Sequence, residues 1–396
     1  MKKALIYICA AALLVVSCIK PENESKVDPS ILIRTNPVSA SGGHQFVSIT
    51  AADAWTLAID PVETDWLSLT PASGKGSKDI VLNVDANKDS NERRAKIILK
   101  CGSKIASTEL VQKSSEDTGG NNNENINPSL DGKKLAESAW MELPAIPSDS
   151  KYGYITHTMT MQNKKVRNYS LCWDYQNLVA PWVAYPLCKA HTAKNVDRSD
   201  AWGLDPYLDE EQQPVLYKGF KEGNCGWKAR GHQLPSADRL FSYEANAQTF
   251  YSTNMTPQIN DKFNSSIWAN LEGKVRGWAE SSDTLYVITG CLTDGSSNYC
   301  LDNVGKKVTV PTGYYKALLR YSKTSTLGQS GYMACAFWFE HRDYSEKNVS
   351  KSQAISIDEL EKIIGLDLFV NLASKIGKEA ADKVEAENPQ TVSWWW

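Results

Sequence analysis

The chain runs to 396 residues, roughly two to three times the size of a common single domain, so two modules are expected. Hydrophobic residues make up 42% and charged residues 22%, with 13 Trp and 17 Tyr, which is enough apolar material for packed cores and excludes a wholly disordered chain. The formal charge of -3, from 43 basic and 46 acidic side chains, excludes the bulk positive field that holds nucleic acid non-specifically.

Lys2 and Lys3 precede an apolar run from Ala4 to Val16, and Ser17 and Cys18 follow. The run is short for a bilayer span and reads as a secretory signal over residues 1–17. Val15-Val16-Ser17-Cys18 resembles the bacterial lipoprotein processing motif. That resemblance implies lipidation at Cys18 and an outer-membrane lipoprotein of the cell envelope, with its leaflet left open. Loss of the leader removes Lys2 and Lys3, taking the charge from -3 to -5, and leaves eight of the nine cysteines. Apart from Cys18 these are odd in number, so at least one stays unpaired within the chain. Cys291 and Cys300 enclose a turn-rich stretch and are the best local pairing candidate.

Residues 30–113 carry short alternating segments (QFVSIT, WTLAI, WLSLT, IVLNV, AKIILK) separated by turn-formers, the pattern of a small all-β sandwich. Trp55, Trp66-Leu67-Ser68, Pro71-Ala72-Ser73-Gly74, Asn87, Arg93-Arg94 and Val111-Gln112 stand in the order of the carbohydrate-associated β-sandwich of gut Bacteroidetes surface proteins, which this region resembles. The resemblance implies glycan contact. Trp55 and Trp66 nevertheless read as core residues, and a spacer role is favoured over glycan binding.

Residues 114–130 hold almost nothing to bury and read as a polar linker. Over residues 131–396, HTMTMQ, WVAYPL, TLYVITG and KALLRY predict strands, while 265–280 and 358–372 predict helices. Ser356 followed by Glu359 fits a capping box at the second helix. Strands and helices do not alternate regularly, so the expected class is α+β. The closing Trp394-Trp395-Trp396 is expected to dock on this domain, with a membrane or partner contact left open.

The densest polar cluster lies between Arg198 and Glu272. His232 is one of only five histidines, and imidazole suits proton transfer near neutral pH. Asn264, Trp268 and Glu272 are spaced i, i+4, i+8 and share a face if helical. An amide oxygen and a carboxylate so placed suit a hard cation that keeps its waters. Too few carboxylates converge for a two-metal site, and no His/Cys cluster suggests structural zinc.

Ala229-Arg230-Gly231-His232, Thr253 to Gln258, and Asn264 with Trp268, Leu271 and Glu272 fall in the order of the DNA/RNA non-specific endonuclease family with a ββα-metal site. Trp182 to Tyr185, Arg198, Asp205-Pro206, Tyr286 to Gly290 and Tyr314-Tyr315-Lys316 extend the resemblance. It implies a central antiparallel sheet, hydrolysis of DNA and RNA, and Mg²⁺ (or Mn²⁺ or another divalent cation) as cofactor. His232 then corresponds to the general base, Asn264 to the direct metal ligand and Glu272 to a carboxylate holding metal waters. Asn254 would help hold the site, most simply by orienting the histidine, and Arg198 and Arg230 would contact phosphate. Two departures stand out. Ala229 replaces the usual Asp, which bears on rate, and Asn254 and Asn264 lie one residue further apart than in the secreted Serratia nuclease, which predicts a bulge before the helix. The alternative is a catalytically inactive nuclease-fold lipoprotein that binds nucleic acid or glycan. His157, His191, His341 and Asp238 read as structural. From Asp131 onward 29 basic face 31 acidic residues, so substrate capture must rest on a local arrangement.

Overall fold

The computed structural model describes residues 28–33, 36–38, 40, 42–115, 132–161, 164–323, 331–392 and 395. The expected leader over 1–17, the lipidation site Cys18, nearly all of the polar linker, Trp394 and Trp396 lie outside the described residues. No helix among the described residues is long and apolar enough to cross a membrane.

The first module comprises β1 (Ser30–Ile33), β2 (Gly43–Thr50), β3 (Ala54–Asp60), β4 (Leu67–Thr70), β5 (Ser73–Lys75), β6 (Lys78–Val84), β7 (Arg93–Cys101) and β8 (Lys104–Gln112). Period-two alternation sets their faces: along β7, Ala95, Ile97 and Leu99 are buried while Arg94, Lys96 and Lys100 are exposed. Two four-stranded sheets, in the orders β1-β2-β6-β4 and β5-β3-β7-β8, close over Val47, Trp55, Leu82, Ile97 and Leu110. Trp55 is the core residue expected of it, its indole N–H donating to the Gly76 carbonyl at 2.8 Å.

The second module opens with α1 (Gly132–Glu137) and three antiparallel strands, β9 (Tyr152–Met161), β10 (Lys164–Asp174) and β11 (Val179–Leu187). A two-stranded ribbon of β12 (Ala229–His232) and β13 (Met255–Gln258) follows, with α2 (Tyr243–Gln248) between them. After α3 (Ala269–Glu280) come β14 (Thr284–Leu292), β15 (Tyr299–Leu301), β16 (Lys307–Thr309), β17 (Gly313–Tyr321), β18 (Tyr332–Glu340) and β19 (Ala354–Ile355). The chain then forms α4 (Ile357–Ile364), α5 (Leu372–Ile376) and α6 (Lys378–Ala386).

A seven-stranded antiparallel sheet in the order β19-β18-β17-β14-β11-β10-β9 organises this module. Both faces are apolar because both are covered. Leu318 of β17 joins Leu271, Val275 and Trp278 of α3 in one core, and its neighbours Ala317 and Leu319 join Leu360, Leu372 and Ala381 of α4 to α6 in the other. The capping box is present, with Ser356 Oγ accepting from Glu359 N–H at 3.2 Å and Glu359 Oε2 accepting from Ser356 N–H at 3.0 Å. The helix expected over 358–372 stops sooner. Gly365 takes a left-handed φ of 67°, a backbone state glycine enters at no steric cost, and this ends α4 before the apolar pattern runs out. Trp395 is buried against Trp278, with ring centroids 5.0 Å apart.

The two modules touch through β2. Phe46, 2% exposed, packs with Leu204 and Val215, and Trp202 and Tyr217 flank this small core. Beside it His44 Nδ1 lies 2.5 Å from Glu210 Oε1. The Glu210 partnership raises the His44 imidazole above its usual pKa, and His44 in turn draws Glu210 below its own despite burial.

Candidate active site

The β12–β13 ribbon positions the histidine. Strand alternation places Arg230 and His232 on its partly exposed face and Ala229 and Gly231 on its buried face. His232 faces Met255 across the ribbon, and Gly231 faces Thr256. A Cβ at Gly231 would stand 2.2 Å from Gln258 Cδ, so a larger residue here requires the buried Gln258 side chain to move. The imidazole rests edge-on against Phe250 (5.0 Å, 87°) and Trp202 (5.5 Å, 65°). Its Nε2 is buried and has no hydrogen-bond partner among the described residues. Burial, reinforced by Arg198 and Arg230, holds its pKa well below the ordinary histidine value, so the ring is neutral.

Trp202 and Phe250 stand at 4.7 Å and 89°, and both arginines lean on them. The Arg230 guanidinium lies 3.3 Å from the Trp202 ring centroid, and the Arg198 guanidinium 4.6 Å from that of Phe250. Arg230 also donates to the Leu216 carbonyl at 2.9 Å, and Arg198 pairs with Asp200 at 2.8 Å. Desolvation brings Arg230 down to about 10, still cationic at neutral pH.

Asn254 does not reach the imidazole. Its Nδ2 donates to the carbonyls of Leu234 (2.9 Å) and Thr249 (2.7 Å), and its Oδ1 accepts from Leu234 N–H (2.9 Å). It therefore fixes the chain just beyond His232 instead of orienting the ring directly. Below it, the Thr253 hydroxyl donates to Asp205 at 2.5 Å, and Asp205 lies 2.9 Å from His157 Nε2, giving that histidine a buried structural partner.

Asn264 lies in a π-wound segment, Asn260–Trp268, that packs against β12. Its wide turns appear in Asn264 N–H donating to the Ile259 carbonyl at 2.9 Å, with Ser266 at φ -125°, ψ -109°. The irregularity expected in a loop before the helix thus lies within the helical segment itself. Trp268 turns into the core and stacks on Phe263 at 5.6 Å, leaving Asn264 and Glu272 partly exposed. Neither of those two side chains makes a hydrogen bond to another described residue. Burial pushes the Glu272 carboxyl up to about 7; Lys316 opposes that most, Asp238 adds to it, and Arg276 and Arg198 oppose it. Lys316 is fully buried, donates to Thr289 Oγ1 at 3.1 Å and lies 4.7 Å from the Trp268 ring centroid.

Among the described residues there is no group of three or more His, Cys, Asp or Glu able to hold a metal. The Asn264 amide oxygen and the Glu272 carboxylate are oxygen donors that no described residue occupies. They suit a hydrated hard cation and do not suit an all-protein cage.

Asp238 pairs with Arg276 at 3.0 Å, while Arg239 donates to Asn168 Oδ1 at 2.6 Å. Cys291 and Cys300 do not pair: Cys291 Sγ lies against the Ala180 carbonyl at 3.4 Å, and Cys300 Sγ stands 3.8 Å from Cys225 Sγ. Strand β14 carries Cys291 into the core, away from the β15 hairpin that carries Cys300. Trp202, Phe250 and Lys316 escaped the sequence reading as site residues. The available signal was Trp202, a lone indole within the polar run from Arg198 to Asp205.

The "Mitochondrial nuclease" of Saccharomyces cerevisiae is 26% identical over 252 residues, covering 60% of this chain and 74% of that protein. A "Nuclease" of Nostoc sp. is 31% identical over 223 residues, covering 55% and 76%. Residues 55–113 match the BACON family model, described as a putative binding domain, N-terminal. Residues 150–375, more than half of the chain, match the family model for DNA/RNA non-specific endonuclease. With the antiparallel sheet and the Arg-x-His ribbon, that match makes the chain a member of the DNA/RNA non-specific endonuclease family.

Proposed function

We propose that the protein is a Mg²⁺-dependent endonuclease that hydrolyses phosphodiester bonds in DNA and RNA without strong sequence preference. We further propose that lipid on Cys18 tethers it to the outer membrane. The observation that carries the catalytic reading is the grouping of neutral His232 with Arg198 and Arg230 on the Trp202–Phe250 pair. His232, whose neutral ring has no hydrogen-bond partner at Nε2 among the described residues, accepts the proton of an attacking water on its imidazole. Burial depresses its basicity most, and the two arginines add to that. A bound phosphodiester neutralises the arginine part of that effect and leaves the part due to burial. Arg198 and Arg230 then face the charge that builds on the phosphoryl oxygens, each donor contributing on the order of 3 kcal/mol.

Asn264 would hold the cation through its amide oxygen, and Glu272 would accept hydrogen bonds from its waters. Bound there, the cation supplies Lewis acidity beside the leaving oxygen. Asn254 keeps Leu234, and through it the histidine strand, in register.

The test is incubation of the purified chain with plasmid DNA and with RNA, in Mg²⁺ or EDTA. We expect cleavage of both polymers with Mg²⁺, none with EDTA, and a loss of about 10²- to 10⁴-fold in His232→Ala and Asn264→Ala. Intact polymers in Mg²⁺ would sink the enzyme reading, and full activity in His232→Ala would sink the assigned base. One observation favours the silent alternative. Ala229 faces Gln258 across the ribbon, and both polar atoms of that buried amide lack a hydrogen-bond partner among the described residues. Binding of nucleic acid or of glycan without cleavage is the outcome that alternative requires.

A further inference from the structure

We propose that Cys225 and Cys300 form a disulfide that fastens the loop feeding β12 to the β15–β16 hairpin. Their Sγ atoms are 3.8 Å apart, in contact and within a short closure of the roughly 2.0 Å bond. The two backbones are already tied. Lys221 and Leu301 exchange N–H···O bonds of 2.8 and 3.0 Å, Asn224 N–H donates to the Tyr299 carbonyl at 3.2 Å, and Tyr299 N–H donates to Asn224 Oδ1 at 2.7 Å. Closing the bond therefore needs side-chain rotation and little backbone movement.

The two thiols differ in a way that sets the order of events. Cys225 is partly exposed, with Lys228 Nζ donating to its sulfur at 3.8 Å, so it is the thiol an oxidant reaches first. Cys300 is fully buried, and burial pushes its thiol up to about 12. Cys225 thiolate attacks one sulfur of a small-molecule disulfide, expelling one thiolate and forming a mixed disulfide. The expelled thiolate takes the Cys300 proton, Cys300 sulfur attacks Cys225 Sγ, and the second small thiol leaves. Two protein thiols are oxidised and one small disulfide is reduced to two thiols.

The position gives the bond a consequence. Cys225 stands just upstream of Arg230 and His232, so the bond anchors the approach to the strand that presents both. This inference stands whether or not the chain cleaves nucleic acid.

The full chain is reduced, then held with oxidised glutathione, alkylated, digested without reduction and mapped by mass spectrometry. We expect a peptide joining Cys225 to Cys300, with both sites lost to alkylation. Because the enclosed loop is long, the melting temperature should rise by about 5 °C or more over the reduced form. Cys225→Ser and Cys300→Ser should each abolish that rise. Continued alkylation of both thiols, a glutathione adduct resting on Cys225 without closure, or a bond from Cys225 to any other cysteine would overturn the proposal. If a serine variant misfolds, the wild-type peptide map decides alone.

Discussion

Trp202 carries more of the candidate site than any residue with chemistry of its own. It stacks under the Arg230 guanidinium at 3.3 Å, edges the His232 ring at 5.5 Å and borders the core made by Phe46, Leu204 and Val215. A guanidinium on an indole face is held by cation–π attraction of about 1–2 kcal/mol when partly desolvated. Trp202→Ala removes that seat and one wall of the imidazole. We expect kcat on plasmid DNA to fall by about 10-fold or more, the scale of losing such a contact where it positions a charged donor. The far-ultraviolet circular dichroism should be unchanged. Wild-type turnover in that variant would show that Phe250 suffices to hold the base and the arginines.

At the scale of elements, the π-wound segment is pinned at its entrance by His341. Its Nε2 accepts from Ile259 N–H at 2.9 Å and its Nδ1 donates to the Pro311 carbonyl at 3.0 Å, which requires the neutral ring. Burial holds its pKa down at about 4. Its folded pKa is below the unfolded value near 6.5, so its contribution is complete above pH 6.5 and is lost as pH falls toward 4. In that window the unfolded chain binds one more proton, worth about 1.4 kcal/mol per pH unit. Between pH 7.5 and 5.5, urea denaturation should show wild type losing about 1.4 kcal/mol more stability in total than His341→Gln. Equal losses would mean that His341 charges freely in the folded state. The same segment shows why Asn264 was legible in sequence and its geometry was not. Spacing marked the residue and the extra residue before it marked an irregularity, but hydrogen bonding through space decides that the helix itself absorbs it.

For the whole molecule, the β-sandwich is a neighbour of the candidate site through Phe46 and the His44–Glu210 pair. Phe46→Ala empties the contact beneath Trp202, and a buried Phe→Ala change costs about 3–5 kcal/mol where the site does not collapse. We expect looser docking, read as a larger radius of gyration by small-angle scattering, together with a several-fold lower kcat/KM. An unchanged radius and unchanged kinetics would return the sandwich to the role of spacer. The sequence by itself determined the α+β class, the sandwich, the capping box at Ser356 and the roll of polar residues from Arg198 to Glu272. These follow from period-two alternation, local capping chemistry and residue types at fixed spacing, all of which are local. Tertiary structure alone decided that Asn254 grips Leu234, that Cys300 meets Cys225 and that Trp202 joins the site to the sandwich. Those contacts join segments far apart along the chain, and their energies exist only once the sheet and ribbon have brought the partners together.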